Sequence, residues 1–308
     1  MIDPYSRRIT GLRISLTQRC NLNCKYCHHE GEGKTSEEMT AGEVLRIVKI
    51  ASSLGIKRVK YTGGEPLLRG DLNEIIKGSL AIGLEDVAIT TNGTLLKGKA
   101  SELNTAGLRR MNVSIPSLDP SLYHSLTGGD LMNTINGIAE AAEYGIKIKI
   151  NTVLMKGVNE GEIRRFIELA SAINGSLQFI ELENLNLDNS FFKNHYLDLS
   201  KLESMLERMA ERVLLREDMN RRHIYMVGGT PVEVVRPTNN PDFCARCSRI
   251  RVTSDGKIKP CLMRSDNHVD ILGPIRGGAS DDDLRLLFLK AVSLRSPYIK
   301  ARQESLRF

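Results

Sequence analysis

The chain has 308 residues, 41% of them hydrophobic, with a formal net charge of +6 and a pI near 9.0. That length supports one large core with an appended lobe and excludes a small disulfide-framed domain. No apolar run approaches the ~20 residues of a membrane span, and the mild basic balance fits an acidic ligand, a nucleic acid or a solvated surface.

The chain opens charged (MIDPYSRRIT), without a hydrophobic leader, which predicts a reducing compartment, the cytoplasm. The first β-rich run spans 11–17. A helix is predicted over 40–54, opened by a capping box of Thr40 and Glu43 and carried by Val44, Ile47, Val48 and Ala51. Strand-like runs recur at 58–62, 86–91, 111–115, 146–154 and 177–182. Between them, one helical pattern begins at Asp71 (Leu72, Ile75, Ile76), and others span 96–106, 131–144 and 160–173. Six strands alternating with helices predict a parallel α/β architecture. Six βα units are too few for a closed eight-stranded barrel, so the expected fold is a partial TIM-type barrel with its chemistry at the C-terminal strand ends. Past residue 183 the pattern changes. Residues 184–196 read as polar and irregular and 199–214 as a helix. Short strands are expected at 223–227, 232–235, 250–253 and 257–260, the last two joined at Asp255-Gly256, a hairpin turn signal. The expected division is a barrel over 1–183 and a small α+β cap over 184–308.

Six cysteines fall into two triads: Cys20, Cys24 and Cys27 (C-x3-C-x2-C), and Cys244, Cys247 and Cys261 (C-x2-C-x13-C). Disulfides suit small secreted domains, and zinc usually takes four Cys/His ligands, often as paired C-x2-C knuckles. His28 and His29 follow the first triad and could complete a zinc site; they are read here as solvated. Three thiolates suit a four-iron cubane with one iron left open for a substrate or cofactor. The first triad follows the first strand, and the second brackets the hairpin.

C-x3-C-x2-C with Tyr26 before its third cysteine, and Gly63-Gly64-Glu65-Pro66 one βα unit later, resemble the radical S-adenosylmethionine (SAM) enzymes. RISLTQRCNLNCKYC, YTGGEPLLRGDL, TTNGTLL, MNVSIPSLDPSLYHSLTGG, KIKINTVLMKGVN and FCARCSRIRVTSDGKIKPCLMR are similar to the GTP 3′,8-cyclase family, over about residues 4–265. The second triad, with Arg249 and Arg251 following its second cysteine, is the most specific of these. The resemblance implies a radical SAM lyase of the first step of molybdenum cofactor biosynthesis. It implies two [4Fe-4S] clusters, one per triad, and SAM on the first, lined by Tyr26, Gly64, Ser114 and Glu183. Arg13, Lys60, Thr90, Lys149, Arg249 and Arg251 match GTP-binding positions, with the guanine facing the open iron of the second cluster. No catalytic side chain is implied beyond cluster-bound SAM. Cleavage of SAM would give a 5′-deoxyadenosyl radical that removes hydrogen from C3′ of GTP. The C3′ radical would then attack guanine C8, giving 3′,8-cyclo-7,8-dihydro-GTP. A reductant protein such as a flavodoxin or ferredoxin is the implied partner; neither membrane nor nucleic acid is expected. Lys60 stands where the family often has arginine, Glu183 where it has methionine and Pro116 where it has an acidic residue. The family's Gly-Gly tail is absent, and the ending 304–308 is expected not to enter the site as a required element. The alternative reading is another radical SAM enzyme with an auxiliary cluster, acting on a peptide or an RNA.

Overall fold

The computed structural model describes residues 1–32, 37–216, 222–238 and 240–297. The expectation about 304–308 falls outside those residues. Every strand expected in the barrel half forms: β1 (Gly11–Ser15), β2 (Arg58–Thr62), β3 (Asp86–Thr91), β4 (Arg110–Ser114), β5 (Lys147–Leu154) and β6 (Ser176–Glu181). They pair in parallel and in chain order. Each has period-two faces. In β5, Ile148, Ile150, Thr152 and Leu154 are buried, whereas Lys149, Asn151 and Val153 point the other way.

The connecting helices are α1 (Ala41–Ser53), α2 (Leu72–Ala81), α3 (Ala100–Thr105), α4 (Pro120–Thr127), α5 (Leu131–Glu143) and α6 (Ile163–Ala172). The capping box of α1 forms: Thr40 Oγ1 accepts from Glu43 N at 3.2 Å, and Glu43 Oε2 accepts from Thr40 N at 2.8 Å. Val44, Ile47, Val48 and Ala51 then lie on its buried stripe. Helix α4 was not foreseen. Asp119 caps it by accepting from Leu122 N at 2.8 Å, and Pro120 stands in its first turn, where a missing N–H costs nothing.

Beyond residue 183 come α7 (Asn189–His195), α8 (Ser200–Met209), α9 (Pro241–Ala245), α10 (Leu272–Arg276) and α11 (Asp281–Ser293). The strands there are β7 (Arg212–Leu215), β8 (His223–Val227), β9 (Thr230–Val235), β10 (Arg249–Val252), β11 (Lys257–Lys259) and β12 (Val269–Asp270). Two expectations fail. The stretch 184–196 holds α7, opened by Asp188 accepting from Ser190 N and Phe191 N. The helix expected over 199–214 stops at Met209, because Arg212–Leu215 pairs antiparallel with β8. The ladder offered by β8 outweighs helix propensity there.

These later strands join the barrel sheet. Strand β10 adds to β1 in parallel and β9 adds to β6 in parallel. The described residues therefore form one open sheet of twelve strands, β12-β11-β10-β1-β2-β3-β4-β5-β6-β9-β8-β7. One apolar core runs through it, joining Ile14, Tyr61, Ile150 and Phe179 to Val232, Ile250 and Phe288.

Candidate active site

Both cysteine triads line one cavity of about 320 Å³. The first triad sits in the loop that leaves β1. That loop lies hard against the glycine pair after β2: Gly64 N donates to Thr17 O at 2.7 Å, and a Cβ on Gly64 would sit 2.2 Å from Arg19 O. Glycine is required there by close backbone approach. Glu65, wholly buried, accepts from Leu67 N (3.0 Å), Thr91 Oγ1 (2.7 Å) and Asn92 N (2.7 Å), tying the loop to the end of β3. Tyr26 packs on an apolar group of Leu126, Met155 and Leu182.

Burial disfavours the thiolate forms of this triad. Burial, then Cys27 and Cys20, pushes Cys24 up to about 12, and burial also raises Cys20 and Cys27. Among the described residues, no three ligand side chains converge on a single ion. A cubane makes no such demand, since each iron takes one thiolate.

Cations occupy the wall between the triads. Arg13 on β1 is in register with Lys60 on β2 and with Arg251 on β10, so three cations stand side by side in one row. Glu30 answers them. Its Oε2 lies 2.8 Å from Arg251 Nη1, and its Oε1 lies 3.4 Å from Arg13 Nη1 and accepts from Thr62 Oγ1 at 2.9 Å. Burial alone would raise the Glu30 carboxyl, but Arg13 and Arg251 hold it at about 2. His29, Glu30 and Gly31 all have φ between 49° and 66°, the left-handed region, and buried Lys259 fixes this turn by donating to Gly31 O. Burial lowers both Arg13 and Arg249 to about 10. Lys60 Nζ donates to Asn112 Oδ1 at 2.8 Å.

Of the residues expected to bind SAM or GTP, Tyr26, Gly64, Ser114, Glu183, Arg13, Lys60, Thr90, Arg249 and Arg251 line the cavity. Lys149 is not among the lining residues; it pairs with Glu233, which also holds Arg216 (3.0 Å) and Arg222 (3.1 Å). Buried atoms of Arg13 (Nε), Thr90 (Oγ1), Glu183 (Oε2) and Arg222 (Nε) have no hydrogen-bond partner. His29 is exposed as expected, but His28 is half-buried on the cavity wall with Nδ1 unpartnered. Such orphaned groups are costly unless a ligand meets them.

Residues 14–170 match the Radical SAM superfamily, and residues 175–301 match Molybdenum Cofactor Synthesis C. A protein of Pyrococcus horikoshii, named "Probable GTP 3',8-cyclase", is 46% identical over 97% of this chain and 98% of its own length. One of Methanosarcina mazei with the same name is 44% identical over 97% of this chain and 90% of its own length. The chain belongs to the GTP 3′,8-cyclase family. Among solved structures, Streptococcus suis SuiB bound to S-adenosylmethionine shares the fold, with a TM-score of 0.61 at 18% identity over 82% of this chain and 58% of that one.

As a family member the chain is a radical SAM enzyme, with iron–sulfur clusters and SAM as cofactors. The donors present fit them: two all-thiolate triads with no disulfide among them, facing one cavity, beside a glycine cradle and unpartnered polar atoms. The sequence reading missed Glu30, Asn112, Asn151, Gln178 and Arg222, all on the wall. Asn112 and Asn151 had a signal: polar residues at alternate positions of strands otherwise buried. Glu30 had none, being one charge in a polar loop.

Proposed function

We infer that the chain is a GTP 3′,8-cyclase, converting GTP to 3′,8-cyclo-7,8-dihydro-GTP in the first step of molybdenum cofactor biosynthesis. The observation that carries this reading is the row of Arg251, Arg13 and Lys60 lying between two three-cysteine sets on one cavity. Cys20, Cys24 and Cys27 would hold the cluster that binds SAM. Cys244, Cys247 and Cys261 would hold the second, facing the guanine. When bound, the first cluster and SAM supply a radical that abstracts hydrogen.

The protein's own work is placement. Converging cations hold the triphosphate, which brings about four negative charges. Gly64 lets SAM approach the backbone, and Ser114, Glu183 and Thr90 offer polar contacts along the wall. Placing the sugar between two fixed groups replaces a chance encounter by an intramolecular one. Arg13 and Arg251 exchange Glu30 for phosphate as the substrate enters. Residues 1–183 would supply the SAM site and 184–308 the second cluster. A flavodoxin- or ferredoxin-type reductant and the cytoplasm suit six thiols outside any disulfide.

Anaerobic reconstitution followed by turnover with a nucleotide panel tests the reading. The expected outcome is about eight irons per chain and cyclised product from GTP alone. Changing Cys20, Cys24 and Cys27 to Ala should leave half the iron and no 5′-deoxyadenosine. Cleavage of SAM by that variant would overturn the assignment of the first triad.

A further inference from the structure

Arg7 and Arg295 meet on Asp3 behind the second triad. The side chains are buried, with 0% of Asp3 and 2% of Arg295 exposed. Asp3 Oδ2 accepts from Arg7 Nε at 2.7 Å and lies 3.3 Å from Arg295 Nε. From this anchor each arginine reaches the cysteine loop. Arg7 Nη1 donates to Cys244 O at 2.9 Å, and Arg295 Nη2 donates to Cys247 O at 2.9 Å. Two cations and one carboxylate leave a net positive charge in a buried place. Arg295 lines the cavity together with Cys244, Cys247 and Cys261, yet its Nη1 makes no hydrogen bond and its Nε only faces Asp3. A buried guanidinium N–H without an acceptor is costly. No SAM or GTP contact inferred above uses it.

We propose that Arg295, anchored by Asp3, sets the reduction potential of the second iron–sulfur cluster: its unpartnered N–H donates to cluster sulfur and its charge stabilises the reduced state. The proposal rests on the reading that Cys244, Cys247 and Cys261 hold a cluster. Net charge and hydrogen bonds to sulfur are the levers by which a protein moves such potentials.

Redox titration of the reconstituted full-length enzyme, followed by electron paramagnetic resonance, tests this. The signal that added SAM leaves unchanged reports the second cluster. In Arg295→Met its midpoint should move to a more negative potential at unchanged iron content. Arg295→Lys keeps the charge but not the fork, and should move it part of the way. An unmoved midpoint in Arg295→Met, with iron intact, overturns the proposal. If Arg295→Met loses that iron, Arg295→Lys decides: a negative shift supports the proposal and an unmoved midpoint rejects it. Unchanged iron after replacing Cys244, Cys247 and Cys261 by Ala would instead sink the reading beneath it.

Discussion

Burial, followed by the charges of Arg13, Arg110, Lys149 and Arg249, holds the Lys60 amine well below its ordinary range. A polyanion placed beside it favours the protonated form and moves it back up. Binding of GTP should therefore take up a proton at a pH between the two values. Calorimetry in buffers of different ionisation enthalpy measures that uptake, and Lys60→Met should abolish it; binding without uptake in the parent protein would reject the account. Gly64 gives a steric expectation. A Cβ there would press on Arg19 O at 2.2 Å, and backbone cannot step aside as a side-chain tip can. Gly64→Ala should cost about 1–3 kcal/mol in stability and weaken SAM binding at least ~10-fold, with iron at the second triad retained. Unchanged SAM affinity in that variant would remove the glycine from the site. The cysteines and strand-borne cations were legible because those residue types are rare in such places. Glu30, Arg222 and Arg295 were not, since each takes its meaning from partners distant in sequence.

Strand β9 carries Glu233 into a group of three cations, Lys149, Arg216 and Arg222. Burial raises this carboxyl, but Arg222, Lys149 and Arg216 outweigh it and hold it at about 2, against an ordinary 4.5. A depressed carboxylate stabilises the fold above its unfolded value and loses that contribution as pH falls through the folded one. Glu233→Gln should thus destabilise the protein by about 3–5 kcal/mol near neutrality, because three partly buried cations lose the buried carboxylate they share. The gap from the parent should narrow as thermal melts are taken from pH 5 towards pH 3. A gap constant with pH would show that Glu233 acts by packing. At this scale the barrel strands were readable from their apolar runs and α1 from its capping box. Strand β7 was not: Val213, Leu214 and Leu215 suit a helix end or a strand equally, and only the neighbouring β8 decides between them. Helix α4 was passed over because its signal lies in Asp119 and Pro120, not in a long periodic stripe.

The sheet interleaves the two ends of the chain. Strand β1 is flanked by β2 and β10, and β6 by β5 and β9, so both edges of the six-stranded barrel half are completed from beyond residue 183. A chain ending at residue 183 would bare two hydrogen-bonding edges beside an apolar core, the arrangement that leads to association. We expect such a truncation to sediment as aggregate, while the full chain stays dispersed; a dispersed, cooperatively melting fragment would refute this. No local period could have announced these pairings, because Gly11 and Arg249 are far apart in sequence and adjacent only in the sheet. Translation meets the same geometry as a delay. Strand β1 and the first cysteine loop leave the ribosome early, but the neighbour that walls them in is made more than two hundred residues later. At about 5–20 residues per second, β1 waits on the order of 10–50 s for β10. The pocket beside the first triad is walled in only once β10 has been made.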